Sequence, residues 1–582
     1  MCGIFGYTGR ENAAPILVEG LKRLTYRGYD SSGVAVTDGK DTKICKGVGS
    51  IETLPEAASL PGKCGIGHTR WATHGGVSEK NAHPFRHGAF TVVHNGIIEN
   101  FAELKTALLQ KGVRFSSETD SEVIAALMNE RRGEGLLSAL FSTVKLLRGA
   151  FAVAAISCEE PEKIACCRKG SPLCVGFIEG GGRVLSSDIP ALLPLTKNAA
   201  LLSDGEGALL FPDGARFFRG GKEIQKEIRR VEMHDFQGTS HRFPYHMRAE
   251  TEQIPIAVKE TVKGLDEKEK GKILPFFAGK TRVVLFGCGT AYHAALFGAA
   301  LLERYAALFS EVRLASELAA GKVRRDDGAV YVAVSQSGET ADTLVAAKAL
   351  KTAGASVIAL TNTPLSSLAE LCDTCVLTRA GTEIGVAATK TFSAQQAAFL
   401  KVAEWLSGQD FGLRKLPDLC LFSLRKEEQM RDLARRIARK KAVFFIGRGF
   451  DYPLALEGSL KLKEVSRLFS EGYAAGELKH GTLALVGRGV PVVAICTQKD
   501  LLKKMENAVH EVACRGAEVT VITPFVAASW GGAEVVPLPA AEEAALPVPA
   551  AIPLQLLAYH AAVFCGRNPD RPQNLAKSVT VE

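Results

Sequence analysis

The chain has no dense basic tract with interleaved aromatics, so a nucleic-acid surface is not expected. Its net charge of +8 mildly favours anionic ligands, or is a diffuse excess with no focus. The 14 cysteines are scattered rather than framed, with Cys166 and Cys167 adjacent. In a chain of this length that reads as reduced, cytoplasmic usage, not a disulfide scaffold or a zinc site, and no metal or cofactor is expected. Met1-Cys2-Gly3 opens without a basic segment or a long apolar stretch, so no signal peptide is read there. One run, Val283 to Leu302, is uncharged and long enough to span a membrane. Three glycines (Gly287, Gly289, Gly298) and the polar Thr290, Tyr292 and His293 break it, and a strand, a turn and a helix account for it better. No membrane span is therefore expected.

What is present is ordinary globular composition, 46% hydrophobic and 23% charged, in 582 residues. That length exceeds one core and points to three or four units. Residues 1–220 mix short β-rich runs, punctuated by Gly33, Gly65, Gly67, Gly75-Gly76 and Gly96, with two helical patterns. One pattern is Leu17, Leu21 and Leu24, the other runs from Ser121 to Met128. A mixed α/β layered domain is expected. Residues 221–265 lose periodicity and read as a connector.

The rest repeats itself. Val283–Gly287, Val332–Ser335 and Val357–Thr361 are matched by Val443–Gly447, Val493–Cys496 and Val519–Thr523. The offset is 160 residues from Gly287 to Gly447 and 162 from Thr361 to Thr523. Each run is β-branched, apolar and followed by a helical pattern, which predicts two doubly wound parallel-sheet domains, at 266–425 and 426–570, and a tail at 571–582.

Three groups of residues could carry chemistry. Cys2 becomes N-terminal if Met1 is trimmed, and then one residue carries a thiol nucleophile and an amine of pKa about 7.7–8.0 that can serve as its base. Alone, Met-Cys-Gly reads better as an incidental small residue. Arg70 in Arg70-Trp71-Ala72-Thr73-His74-Gly75 offers a guanidinium for a carboxylate, Asp120 an acid for an ammonium, and Asn95-Gly96 an oxyanion site for acyl transfer. Each also has a plain reading: a surface ion pair, a helix cap and a hairpin turn.

The second group is Ser335-Gln336-Ser337-Gly338-Glu339-Thr340, placed between a strand and a helix running to about Ala353. Its hydroxyls and backbone amides meet a helix N-terminus, which makes a phosphate cradle. No lysine stands in Walker A position and the glycine spacing is not that of a dinucleotide fold, so nucleotide binding is disfavoured. Gly287-Cys288-Gly289-Thr290 makes a similar turn, whereas Cys496-Thr497-Gln498-Lys499-Asp500 in the second copy has lost the hydroxyl cluster. The third group is Lys461, Glu464 and His480. A ketose-to-aldose isomerisation needs an acid/base of those types, yet Glu457, Lys461 and Glu464 also fit a solvated charge stripe on a helix. Lys577, in the tail, could form an imine with a keto-sugar or be a surface residue.

Cys2-Gly3-Ile4, Tyr26–Ser31, Gly67–Gly75 and His94–Asn100 together resemble the glutaminase domain of the N-terminal-nucleophile amidotransferases, an αββα fold. The C-terminal half resembles tandem sugar-isomerase domains. Both halves resemble the glutamine–fructose-6-phosphate aminotransferase (isomerizing) family over nearly the whole chain. The resemblance implies that Cys2 attacks glutamine, with Asn95 and the Gly96 amide as oxyanion hole. Arg70 and Asp120 would hold the α-carboxylate and α-ammonium, Thr73 and His74 would neighbour the pocket, and Trp71 would gate ammonia. Ser335, Gln336, Ser337 and Thr340 would bind the phosphate, with Cys288, Gly289, Thr290, Val386 and Ala576 at the sugar. Lys577 would form the imine, Glu464 move the proton, His480 open the ring and Lys461 assist. The implied partners are L-glutamine, fructose 6-phosphate and a second copy of the chain, with ammonia channelled within the protein. Amination of a different phosphosugar and a catalytically silent sugar-phosphate sensor are the rival readings. Ala291, Ala388 and Thr482, and the segment Met247–Glu252, depart from the family's usual pattern.

Overall fold

The computed structural model describes residues 2–233 and 242–580. The chain divides into two compact units, one of Met1–Glu232 with Leu365–Ser367 and Ser578–Glu582, the other of Met233–Pro364 and Leu368–Lys577.

The first unit is built on two antiparallel sheets. The eight-stranded one contains Gly3–Thr8 between Arg183–Ser186 and Cys64–Arg70, with Ser31–Thr37 and Thr42–Val48 beyond. The seven-stranded one is centred on Glu160–Lys169, Gly149–Ser157 and Phe90–Ile98. Alternation along the strands sends one side-chain set between the sheets and the other outward. Ile4, Ile66, Val93, Ala154, Ile164 and Leu185 meet in the inner core. Phe5, Val34 and Val184 pack outward on Leu17 and Leu21 of helix Ala13–Leu24. Val92, Phe151 and Val153 pack on helices Glu122–Asn129 and Leu136–Val144. The layers are therefore helix, sheet, sheet, helix, as expected.

The expected boundary at residue 220 is corrected. Lys222–Ile224 extends the seven-stranded sheet and Arg229–Arg230 the eight-stranded one. Most of the supposed connector is structured too: helices His246–Glu252 and Ile254–Gly264 insert Met247, Ile254 and Val258 into the core of the second unit. Their charged residues hid the pattern, because Arg248 and Glu250 are themselves buried there. Residues 234–241 of that segment lie outside the described residues.

The second unit holds two five-stranded parallel sheets. The first runs in the order Phe309–Leu314, Arg282–Gly287, Ala329–Val334, Val357–Thr361, Thr374–Leu377. The second runs Phe469–Ala474, Ala442–Gly447, Pro491–Ile495, Glu518–Thr523, Glu534–Pro537. The order is the same in both copies, so the internal repeat is a fold repeat. Each copy has two edge strands that the repeat in sequence did not reveal. They are short or partly exposed, and so lack the continuous apolar run of a buried parallel strand. Val283–Leu302 is indeed a strand, a turn and the helix Thr290–Ala306. A different helix, Pro547–Phe564, is long and apolar enough to cross a membrane, but 83% of that stretch is buried within the unit's core. It packs in one shared core with residues of both copies.

Candidate functional site

In the first unit, antiparallel pairing of Gly3 with Thr69 brings Cys2 to the end of strand Cys64–Arg70. The Cys2 Sγ accepts the Trp71 amide N–H at 3.4 Å and lies 3.6 Å from the Trp71 carbonyl oxygen. Burial pushes the thiol's pKa up, against the pull of the Trp71 amide and the Arg70 charge. Activation by an adjacent base is then required for a thiolate near neutral pH.

Asn95 and Gly96 lie inside strand Phe90–Ile98, not at a hairpin turn. Asn95 is 5% exposed, and its Oδ1 is 3.1 Å from His68 Nε2, which also contacts the His94 carbonyl oxygen at 2.9 Å. With two acceptors in front of it, Nε2 carries the proton. Burial keeps the ring neutral, with its pKa lowered to about 3. The Asn95 amide is thus oriented with its oxygen held and its NH₂ turned elsewhere. Gly96 has φ +124°, and a Cβ there would fall 2.0 Å from the Ala150 carbonyl oxygen, so only glycine fits.

Asp120 is not a simple helix cap. Its Oδ2 accepts the Ile98 amide at 2.8 Å, within the strand that carries Asn95. Arg70 is not in a surface ion pair either: it is 3% exposed and donates to the carbonyls of His74 at 2.5 Å, Gly75 at 3.0 Å and Gly76 at 3.2 Å. Those bonds shape the loop that carries Thr73 and His74. Thr73 is exposed, the His74 ring stands edge-on to Phe101 at 5.7 Å, and Trp71 edge-on to Tyr29 at 5.8 Å. Sequence reasoning missed Asp30, whose Oδ2 accepts the Ala72 amide at 2.8 Å, and His68. Both stand inside the motifs already singled out.

In the second unit, the Ser335–Thr340 turn follows strand Ala329–Val334 and opens helix Ala341–Thr352. Ser335 Oγ accepts the Gly338 amide at 3.1 Å and contacts the Thr340 hydroxyl at 3.0 Å. Ser337 Oγ accepts the Glu339 amide at 3.1 Å, and the Gln336 carbonyl accepts the Asn362 amide at 3.0 Å. The hydroxyls and amides form a hydrogen-bonded turn at a helix N-terminus. In the second copy Asp451 fills the corresponding turn, accepting the Thr497 amide at 2.8 Å and hydroxyl at 2.6 Å. That is the physical form of the lost hydroxyl cluster.

Cys288, Gly289 and Thr290 make the other turn of the first copy, with Gly289 at φ +54° capping helix Thr290–Ala306. Thr290 joins the copies. Its hydroxyl donates to Glu457 Oε1 at 3.0 Å and accepts Lys461 Nζ at 2.9 Å. Lys461 also meets Glu464 Oε2 at 2.6 Å and Glu457 at 3.5 Å, and His293 Nδ1 contacts Glu457 at 2.8 Å. The solvated-stripe reading fails here: Lys461 is 1% exposed and Glu457 2%. Burial alone would lower the lysine's pKa, but Glu457 and Glu464 raise it, so it remains an ammonium.

Lys577 is no surface residue. Its ammonium is ion-paired with Glu383, and neither side chain reaches solvent appreciably. Burial disfavours the Glu383 carboxylate, yet Lys577 and the groups of Thr389 and Thr391 hold its pKa below the usual range. Val386 is buried and its amide donates to the Asp570 carbonyl at 3.2 Å; Ala576 is half-buried beside Lys577. His480 stands apart, exposed on the turn Glu477–His480, and no hydrogen bond of the Lys461 cluster reaches it. Glu383, Glu457 and His293 were not anticipated. Helix Asp451–Ser466, which carries Glu457, is buried over most of its circumference, and that was the available signal that its charges are internal.

The scattered-cysteine reading passed over one Cys-x-x-Cys spacing, Cys372-Asp373-Thr374-Cys375. Both thiols are free, and burial pushes each up to about 12. No group of three or more acidic, cysteine or histidine residues suited to a metal occurs among the described residues.

Residues 276–404 and 436–564 match the SIS domain, and residues 68–194 a glutamine amidotransferase domain. The chain is 43% identical over 615 residues to the glutamine–fructose-6-phosphate aminotransferase (isomerizing) of Symbiobacterium thermophilum, and 41% identical over 604 residues to that of Thermococcus kodakarensis. Both alignments cover 100% of each chain. The structure of the C-terminal domain of glucosamine-fructose-6-phosphate aminotransferase from Francisella tularensis superposes with a TM-score of 0.55 at 31% identity, covering 58% of this chain and 100% of that one. The tagatose-6-phosphate ketose/aldose isomerase of Escherichia coli shares the fold, with a TM-score of 0.51 at 16% identity over 59% of this chain and 99% of its own. With both of its units matched and full-length relatives this similar, the chain belongs to the glutamine–fructose-6-phosphate aminotransferase (isomerizing) family.

Proposed function

We propose that this protein releases ammonia from L-glutamine at Cys2 and uses it to convert fructose 6-phosphate to glucosamine 6-phosphate and glutamate. The observation that carries the reading is the cluster of half-buried Thr290 and Glu464 with buried Glu457 and Lys461, which joins the two sheet domains. A solvated stripe needs no such burial, whereas proton transfer between adjacent carbons needs acids and bases held away from bulk water.

In the first unit, Cys2 Sγ attacks the glutamine amide carbon while the Cys2 amine, freed by removal of Met1, takes the thiol proton. The Asn95 NH₂ and the Gly96 amide stabilise the oxyanion. Its collapse expels ammonia, and water then releases glutamate from the thioester. Arg70 and Asp120 are assigned to the ends of the amino acid, with Trp71, Thr73 and His74 around it. In the second unit, Ser335, Gln336, Ser337 and Thr340 hold the phosphate, with Cys288, Gly289, Thr290, Val386 and Ala576 about the sugar. His480 is assigned to ring opening. Lys577 forms an imine at the ketose carbonyl with loss of water, and ammonia displaces the lysine. Glu464 then moves a proton from the first carbon to the second, with Lys461 holding its carboxylate in place.

A homodimer in the cytoplasm is the expected state, and light scattering tests the assembly. The reaction is tested by incubating the processed chain with glutamine and fructose 6-phosphate. Stoichiometric glucosamine 6-phosphate and glutamate are expected; no amino sugar would refute the reading. A panel of other ketose phosphates tests the lost hydroxyls at Ala291 and Ala388, with fructose 6-phosphate expected to be preferred.

A further inference from the structure

Glu250 is a buried carboxylate for which the proposed chemistry has no role. It lies on helix His246–Glu252 and is 4% exposed. Its Oε1 accepts the amides of Ile384 and, at 3.2 Å, Gly385; its Oε2 is 3.3 Å from the same Gly385 amide. Those amides directly follow Glu383, the partner of Lys577. The loop is braced at its other end as well. Lys390 Nζ donates to Gln253 Oε1 and to the Thr382 carbonyl, each at 2.7 Å. Asp570, from the segment leading to the tail, accepts the His246 and Met247 amides at 2.7 Å. The ionisable groups facing Glu250 are therefore Glu383, Lys577, Lys390 and Asp570.

We infer that Glu250 is a positioning residue for the sugar reaction: it fixes the Glu383–Val386 turn through two backbone amides and so holds Glu383, the ion-pair partner of Lys577, in place. This rests on the assignment of Lys577 as the imine-forming lysine. The two amide donors need an acceptor at this place, so a carboxylate or an amide oxygen serves and a methyl does not. Burial and the Glu383 charge push the Glu250 pKa up to about 7, while Lys577 and Lys390 pull it down.

The experiment uses the full chain with Glu250→Gln and Glu250→Ala, measuring amino-sugar formation across pH and, separately, glutamate release from glutamine. Glu250→Gln keeps an acceptor for the amides. Its kcat at the optimum is expected to stay within about threefold of the parent, because the amide oxygen still accepts the two backbone N–H groups. Glu250→Ala is expected to lose at least about tenfold in kcat, with borohydride trapping of the Lys577 imine falling in parallel. Glutamate release stays unchanged in both. A Glu250→Gln variant that loses as much kcat as Glu250→Ala, or an unchanged kcat in Glu250→Ala, overturns the positioning role. Failure of the parent chain to make product at any pH refutes the underlying assignment instead, so the two failures are distinct.

Discussion

Lys461 and Glu464 meet at 2.6 Å with the lysine fully buried, one turn apart on helix Asp451–Ser466. The pair also leans on Glu457 and, through Thr290, on the other sheet domain. Truncating the lysine would leave buried negative charge unpaired, which costs about 3–5 kcal/mol. Lys461→Ala should therefore lower the melting transition of the second unit and abolish amino-sugar formation while glutamate release persists. Glu464→Gln should keep the fold and lose about 10²–10⁴-fold in kcat. Calorimetry and a coupled assay separate the two outcomes.

The nucleophile's base is testable by chemistry at the N-terminus. Cys2 has a raised pKa, so glutamine hydrolysis depends on the free α-amine. kcat/KM should rise with pH through the range of an α-amine, about 7.7–8.0. Intact mass of the active enzyme should show Met1 removed. A form that keeps Met1 and hydrolyses glutamine at full rate would rule the mechanism out.

Asn95→Ala removes one oxyanion donor and should cost about 10²–10³-fold in kcat for glutamate release, with little change in KM. His68→Gln, which loses the neutral ring holding the Asn95 oxygen, should lower kcat in the same direction but less. Gly96→Ala places a Cβ on the Ala150 carbonyl at positive φ, so the first unit should lose at least about 1–3 kcal/mol from backbone strain.

Acid stability of the first unit follows from its buried imidazoles. Burial lowers His68 to about 3 and His83 well below its ordinary value of 6.5. Below pH 6.5 the unfolded chain binds protons that the folded chain does not, so stability is full above that value and falls as pH drops toward 3. Each ring contributes about 1.4 kcal/mol per pH unit in that window. Melting of the first unit should drop steeply with acid, and His83→Phe should flatten the drop.

Imine formation is checked by trapping. Borohydride with fructose 6-phosphate should attach the sugar to Lys577, and Lys577→Arg should remain unlabelled, because a guanidinium stays charged and does not condense. Peptide mapping identifies the modified residue.

Much of this protein was legible in the order of its residues. Short β-rich runs with glycine punctuation and two helical patterns pointed to the layered first unit, and runs such as Val283–Gly287 and Val443–Gly447, recurring at a nearly constant offset, to the doubled parallel fold. Local sequence also marked the Ser335–Thr340 turn, because a turn is a property of adjacent residues, whereas Asn95-Gly96, a hairpin signal in sequence, lies inside a strand. Burial of charge was decided only by tertiary structure. Glu457 and Lys461 have the spacing of a solvated stripe, and Glu250 sits in a stretch with no clear period. Their meaning depends on which surface covers them, and that is fixed by groups distant in sequence: Thr290 on Lys461, the Ile384 and Gly385 amides on Glu250, Glu383 on Lys577. An ionised side chain costs little in water and must be paired when buried, so the same residue is plain on a surface and decisive in a core.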